Sequence, residues 1–320
     1  MVFGGPGAGK SALLRYIAIQ LLSESPNVPR LQEKWGDRLP VWIPFALWTK
    51  IISSSTSGEG SLGEAVQQWL KTWNEQRLWP LFEQALDDER VLLLVDGLDE
   101  WTNESAGKIA LDRLQVFVRQ RKVGAIVTSR PHGYKRLGMQ GDGWQVGELC
   151  ELSVVQQKEL ATIWFVQKIS ASNSGQEKEE INQLASFESS GFMEQLSRSP
   201  DLSELAKLPM LICLLVFLRF QNAHLPQSRF KAYGQIVDHL ILVHPKKRQT
   251  AAAIISSEGE LSDEDMKGLL AYLALEIHEK YSEGLVDKKI AEEILRVRIE
   301  QDFGFDRSKA IALGRYAIQT

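Results

Sequence analysis

Gly4-Gly-Pro-Gly-Ala-Gly-Lys-Ser11 stands between the apolar pair Val2-Phe3 and the run Ala12-Leu-Leu-Arg-Tyr-Ile-Ala-Ile-Gln-Leu-Leu22. The spacing is that of a phosphate-binding loop, G-x-x-x-x-G-K-[ST], in its required strand–loop–helix setting. Each residue type has a task there. Glycines Gly4, Gly5, Gly7 and Gly9, with the small Pro6 and Ala8 between them, let backbone N–H groups curl around an anion. Lys10 reaches β- and γ-phosphates, and the Ser11 hydroxyl is a Mg²⁺ ligand. The helix opening at Lys10, Ser11 and Ala12 points its free N–H groups at the same phosphates. The loop therefore predicts a nucleoside triphosphate with Mg²⁺, and an α/β fold around it.

Working outward, a second diagnostic stretch is Arg90-Val-Leu-Leu-Leu-Val-Asp96, followed by Gly97-Leu-Asp99-Glu100. A short continuous aliphatic run is the pattern of a strand buried on both faces of a parallel sheet. Its last residue is delivered to the ligand crevice at the carboxyl ends of the strands. Asp96 is thus the second candidate Mg²⁺ ligand. Gly97 permits a tight turn that returns Asp99 and Glu100 toward the phosphates, where either acid orients or deprotonates the attacking water. The competing role for these two acids is a helix cap or a solvated surface position. Val123-Gly-Ala-Ile-Val-Thr128 reads as the next strand, and Ser129-Arg130-Pro131 follows it. An arginine at that tip faces the γ-phosphate and reports its presence through a charge-assisted bond.

Around these anchors the first half alternates strands and helices, which implies a parallel sheet covered on both faces. Pro40–Trp48 is expected as a strand, Ser53–Gly63 as a loop, Leu62–Asn74, Trp79–Asp87 and Ala106–Arg121 as helices, and Trp144–Leu149 as a further strand. Beyond Ser153 the pattern is almost wholly helical. Helices are expected over Val154–Ile169, Lys178–Phe187, Phe192–Ser197, Leu202–Leu208, Pro209–Gln221 and Gln227–Val243. A linker is expected over His244–Gly259, and a final helical pair over Ser262–Tyr281 and Asp287–Gln301.

The 320 residues carry 44% hydrophobic and 24% charged side chains, ample for one large or several small cores. A net charge of −4 argues against electrostatically driven nucleic-acid binding by the chain as a whole. Two cysteines, Cys150 and Cys213, with no C-x-x-C, fit a reduced, cytoplasmic setting. No apolar stretch reaches transmembrane length. Both ends read as cut: only Met1-Val2-Phe3 precede the loop, and Ala317–Thr320 stops inside a helical pattern.

Taken together, Gly4–Ser11, Leu92-Leu-Leu-Val-Asp96-Gly-Leu-Asp99-Glu100 and Thr128-Ser-Arg130-Pro131 resemble the NACHT family of STAND signal-transduction ATPases. Leu205-Ala-Lys-Leu-Pro209-Met-Leu resembles that family's proline motif, Leu225–Tyr233 the stretch after it, and Leu269–Glu279 the opening helix of its winged-helix domain. The resemblance implies a nucleotide-binding domain over residues 1–152, a helical lid over 153–245, and a linker with a partial winged helix over 246–320. It implies that Lys10, Ser11, Asp96 and Arg130 serve the nucleotide and that Pro209 packs by adenine. It also implies slow, regulatory ATP hydrolysis, self-association of the core on activation, and effector and sensor domains elsewhere in a larger protein of defence or stress signalling. By the same resemblance, the segment that would carry the family's winged-helix histidine is expected beyond Thr320, and His278, in the wrong helix, is not assigned that role.

Alternatives from other classes are a nucleotide-binding scaffold without hydrolysis, a housekeeping P-loop ATPase, and a GTPase. The transporter signature Leu-Ser-Gly-Gly-Gln and the guanine-reading Asn-Lys-x-Asp are both missing from the sequence. Gly58-Glu-Gly-Ser-Leu-Gly63 matches G-x-G-x-x-G but follows a serine-rich loop rather than a strand, which disqualifies it as a dinucleotide site. The five histidines show no metal-ligand spacing, Lys246-Lys247-Arg248 reads as solvated linker, and Trp42, Trp69, Trp73 and Trp79 read as core or interface fillers.

Overall fold

The computed structural model describes residues 1–54, 60–101, 103–131, 133, 137, 143–172, 177–222, 224–247, 261–281 and 286–319, with backbone alone at 240–247, 263 and 319. Gly58 and Glu59 of the G-x-G-x-x-G match, His132, Arg248 and most of the expected linker lie outside them; His244, Pro245, Lys246 and Lys247, expected as linker, instead continue the helix that begins at Arg229. The chain divides into two compact units: Met1–Ala161 with Ala206–Cys213, and Thr162–Leu205 with Leu214–Thr320.

The first unit is built on a five-stranded parallel sheet flanked by helices. Its strands are β1 (Val2–Phe3), β2 (Leu39–Pro44), β3 (Val91–Asp96), β4 (Gly124–Ser129) and β5 (Gly147–Glu148), in the order β2-β3-β4-β1-β5. The helices are α1 (Lys10–Leu22), α2 (Pro29–Trp35), α3 (Phe45–Ser54), α4 (Leu62–Thr72), α5 (Trp79–Asp87) and α6 (Glu104–Arg121). Because side chains alternate along a strand, β3 feeds two separate cores. Leu92 and Leu94 meet Leu14, Ile17 and Leu21 of α1, with Trp35 and Trp42 at the margin. Val91, Leu93 and Val95 meet Phe45, Trp48, Leu111 and Leu114 on the other face. All five apolar residues of β3 are fully buried, as its unbroken aliphatic run predicts.

Register then sets the site. Pro44 pairs with Asp96, Val95 with Val127, Val2 with Thr128 and Phe3 with Ser129. The carboxyl ends of β3, β4 and β1 are therefore level. The chain leaves β1 into α1 on one face and β3 into α6 on the other, which opens a crevice at those ends.

One expected strand is corrected. Pro40–Trp48 is not a single strand: β2 stops at Pro44 and α3 begins at Phe45. Phe45, Trp48 and Thr49 are all fully buried, and their i, i+3, i+4 spacing is a helical face. Apolar residues at nearly every position masked the change of period. Trp48 Nε1 donates to Gly60 O at 2.8 Å, tying α3 to the start of α4. Helix α2, with Pro29 at its first position, was not anticipated. The expected strand Trp144–Leu149 shortens to Gly147–Glu148.

The second unit is helical. Its elements are α7 (Val154–Ser172), which starts in the first unit, α8 (Lys178–Ser197), α9 (Pro200–Ala206), α10 (Pro209–Asn222), whose first residues belong to the first unit, α11 (Arg229–Lys247), α12 (Asp263–Lys280), α13 (Lys288–Phe303) and α14 (Arg307–Gln319). Lys178–Phe187 and Phe192–Ser197 form one helix rather than two. Gly191 costs about 1 kcal/mol in a helix interior, but the helix is held by buried Phe192 and by buried Ser189, which receives a 2.8 Å bond from Thr162. Arg219 pairs with Glu188 at 3.0 Å. The expected final pair is a trio. Gly304, at φ 65°, caps α13, and α14 returns Ala310, Leu313 and Ala317 onto Leu295 and Ile299. Among the described residues no helix is long and apolar enough to cross a membrane.

Candidate nucleotide-binding site

The loop after β1 is shaped by two glycines in the left-handed region, Gly7 at φ 73° and Gly9 at φ 93°. Gly9 is the N-cap of α1, and its carbonyl accepts the Leu13 N–H at 2.8 Å. The loop is anchored to the sheet by Gly4 N–H, which donates to Ser129 O at 3.3 Å. Lys10 Nζ folds over it and donates to Gly4 O at 2.8 Å and Gly5 O at 3.0 Å. An ammonium has three donors, so this geometry fixes the cation over the loop and leaves capacity for a further acceptor. Burial holds the Lys10 ammonium below its usual pKa; Asp99 opposes that shift and Arg130 adds to it. Gly5, Pro6, Ser11 and Ala12 are exposed.

Asp96 ends β3, and Thr128 on the neighbouring strand locks it. Thr128 Oγ1 donates to Asp96 Oδ1 at 2.7 Å and accepts the Gly97 N–H at 3.0 Å. Gly97, at φ 74°, begins the tight turn, and Leu98 N–H donates to Thr128 O at 2.8 Å. Glu100 folds back over this glycine: a methyl group on Gly97 would lie 2.9 Å from Glu100 Cδ. Although much of Glu100 is open to solvent, desolvation of its carboxyl, followed by the charges of Asp99 and Asp96, raises its pKa above the usual value. Asp99 faces the other way, toward Arg130. Its Oδ1 accepts the Arg130 N–H at 2.9 Å, and its Oδ2 lies 3.1 Å from Arg130 Nε.

Pro209 opens α10 beside the loop. A methyl group on Gly9 would lie 3.9 Å from Pro209 Cγ, and one on Gly7 only 3.0 Å from Met210 Cβ. Met210 N–H donates to Gly7 O at 3.2 Å. The segment is held nearby by Leu152 N–H, which donates to Lys207 O at 2.9 Å. All the candidate residues, Gly4 to Ala12, Asp96, Asp99, Glu100, Arg130 and Pro209, thus belong to the first unit.

Two residues of consequence carried no role in the sequence. Thr128 was part of a quoted motif, but a buried hydroxyl at a strand end becomes meaningful only once its neighbour strand is known. Met210 contacts the loop from more than 200 positions away in the chain. Among the described residues no group of three or more His, Cys, Asp or Glu side chains could hold a metal. A divalent cation here would need oxygens from its ligand and from water, as Mg²⁺ commonly does.

The arrangement sets two cations, Lys10 and Arg130, in electrostatic contact with three carboxylates beside a glycine-rich loop at a helix N-terminus. Chemically it can hold a multiply charged anion and place a carboxylate near it. No protein-family model matches the chain, and no curated protein matches it either.

Proposed function

We propose that the chain is an ATP-binding, slowly hydrolysing switch module of the kind found in NACHT and other STAND ATPases. The observation that carries the proposal is the convergence, at the carboxyl ends of a parallel sheet, of a loop with two left-handed glycines, the Lys10 ammonium, the locked carboxylate of Asp96 and the Arg130 guanidinium. The loop N–H groups and the α1 N-terminus bind phosphate oxygens. Lys10 neutralises the β- and γ-phosphates, and Arg130 meets the γ-phosphate. Ser11 and Asp96 would hold Mg²⁺, which would supply charge neutralisation to the phosphates. Thr128 already holds Asp96 Oδ1 and so would orient the carboxylate that receives the cation.

Of the two acids after Gly97, Glu100 suits the proton acceptor for the attacking water. Its raised pKa brings it nearer the working pH, which favours general-base action. Pro209 and Met210 press on the loop from the first turn of α10, whose later residues belong to the helical unit. A ligand that moved the loop would therefore act on a helix shared by both units. Such a switch responds only through different affinities for ATP and ADP in its two states. Self-association when ATP is bound, a cytoplasmic setting and effector domains outside this chain complete the proposal.

The direct test is calorimetric binding of Mg·ATP, Mg·ADP and Mg·GTP to the chain and to Lys10→Ala. ATP binding that is lost in Lys10→Ala is expected. Unaltered ATP affinity in that variant, or tighter binding of GTP than ATP, would refute the site or the base assignment respectively.

A further inference from the structure

Both carboxylate oxygens of Asp99 are engaged by one residue. Oδ1 receives the Arg130 main-chain N–H at 2.9 Å, and Oδ2 faces the Arg130 Nε at 3.1 Å. The Asp99 side chain is 11% exposed and that of Arg130 is 41% exposed. Gly133 packs tightly on Asp99: a methyl group on it would lie 2.1 Å from Asp99 Cβ and 2.8 Å from its Cα. Asp99 is thus enclosed on its own side, while Arg130 keeps an open side.

The atom used for the approach matters. A guanidinium carries five N–H donors in a planar fork. Gripping it through Nε fixes the plane and leaves the terminal nitrogens as the leading edge, suited to bidentate capture of phosphate oxygens. A free arginine loses side-chain rotamer entropy when it is immobilised, and the Asp99 grip removes much of that cost before the ligand arrives.

We infer that Asp99 is a positioning residue for Arg130 and so sets the preference for a triphosphate over a diphosphate, an assignment that rests on the nucleotide site proposed above. Asp99 aims the guanidinium at the position that only a γ-phosphate occupies. The two acids that follow Gly97 then divide their work: Glu100 serves the water and Asp99 serves the arginine. Asp99 touches neither nucleotide nor water in this assignment.

The test measures the dissociation constants of Mg²⁺ with a non-hydrolysable ATP analogue, and of Mg²⁺ with ADP, for wild type, Asp99→Asn, Arg130→Ala and the double variant. Asp99→Asn is expected to weaken the triphosphate roughly tenfold, a typical coupling between sites, with ADP affinity kept within about twofold. The double variant is expected to be no worse than Arg130→Ala alone, because the two residues act as one unit. Asp99→Ser, which retains an acceptor for the Arg130 N–H, takes its place if Asp99→Asn does not fold. A wild-type ratio of triphosphate to diphosphate affinity in both Asp99 variants, or additive losses in the double variant, would overturn the inference. A wild-type chain that binds neither nucleotide would overturn the nucleotide site itself.

Discussion

Thr128 Oγ1 donates a 2.7 Å hydrogen bond to Asp96 Oδ1 across the β3–β4 boundary, and the same oxygen accepts the Gly97 N–H. Both Thr128 and Gly97 are buried. One hydroxyl therefore orients the candidate cation ligand and satisfies the first donor of the turn that carries Asp99 and Glu100. Thr128→Val removes both bonds at nearly constant volume. It is expected to cost about 1–3 kcal/mol of stability, because the Gly97 N–H is left unsatisfied. Mg²⁺-dependent turnover is expected to fall on the order of tenfold to a hundredfold, the usual effect of losing an outer-shell partner of a metal ligand. Thr128→Ser should recover most of both. Urea melts and steady-state hydrolysis assays check the pair; wild-type turnover in Thr128→Val would show that Asp96 needs no orientation.

The two loop glycines Gly5 and Gly7 should respond differently to alanine. Gly7 has φ 73°, and its added methyl would meet Met210 Cβ at 3.0 Å. The left-handed backbone alone costs an alanine roughly 1–2 kcal/mol, so Gly7→Ala should destabilise the chain by at least that much. At Gly5 an added methyl has nothing within 4 Å, so Gly5→Ala should stay within about 0.5 kcal/mol of wild type. Thermal melts of the two apo variants decide this, and equal midpoints would contradict the loop geometry.

Glu100 gives a signed pH dependence. Desolvation and the Asp99 and Asp96 charges raise its pKa in the folded state, so the folded chain holds that proton more tightly than the unfolded chain. The stabilising effect of protonation is fully present below the unfolded carboxylate pKa and is lost as pH rises through the folded value. Glu100→Gln should therefore melt higher than wild type at neutral pH, and the gain should vanish toward about pH 4, where the wild-type carboxyl is protonated. Hydrolysis by the same variant should be largely lost, while the acid limb of the wild-type rate profile should sit above the ordinary glutamate range. A variant that melts lower than wild type at neutral pH would reverse the sign argued here.

The parts of this fold that were legible in the sequence are those whose signal is local. Val91–Val95 is aliphatic at every position, so its burial on both faces could be expected without a neighbour in view. The helix limits at Trp79–Asp87 follow from apolar spacing with Pro80 in the first turn. Phe45–Ser54 was obscured because consecutive apolar residues from Val41 onward carry neither a clean period of two nor one of 3.6. Ser53 and Ser54 also sit inside α3, where serines read as the beginning of a loop.

By itself the sequence determined the place of the glycine-rich loop between β1 and α1, of the carboxylate ending β3 and of the arginine following β4, because each lies in a short motif beside a strand or helix with a strong local signal. What only the tertiary structure decided is who holds whom. Asp99 meets Arg130 across a separation of 31 residues, Thr128 meets Asp96 across 32, and Met210 meets Gly7 across the length of the first unit. Those pairings depend on sheet register and on where a distant helix begins. Register is set by the packing of two cores on opposite faces of β3; Pro209 marks the start of α10 locally, but nothing local says which loop it meets.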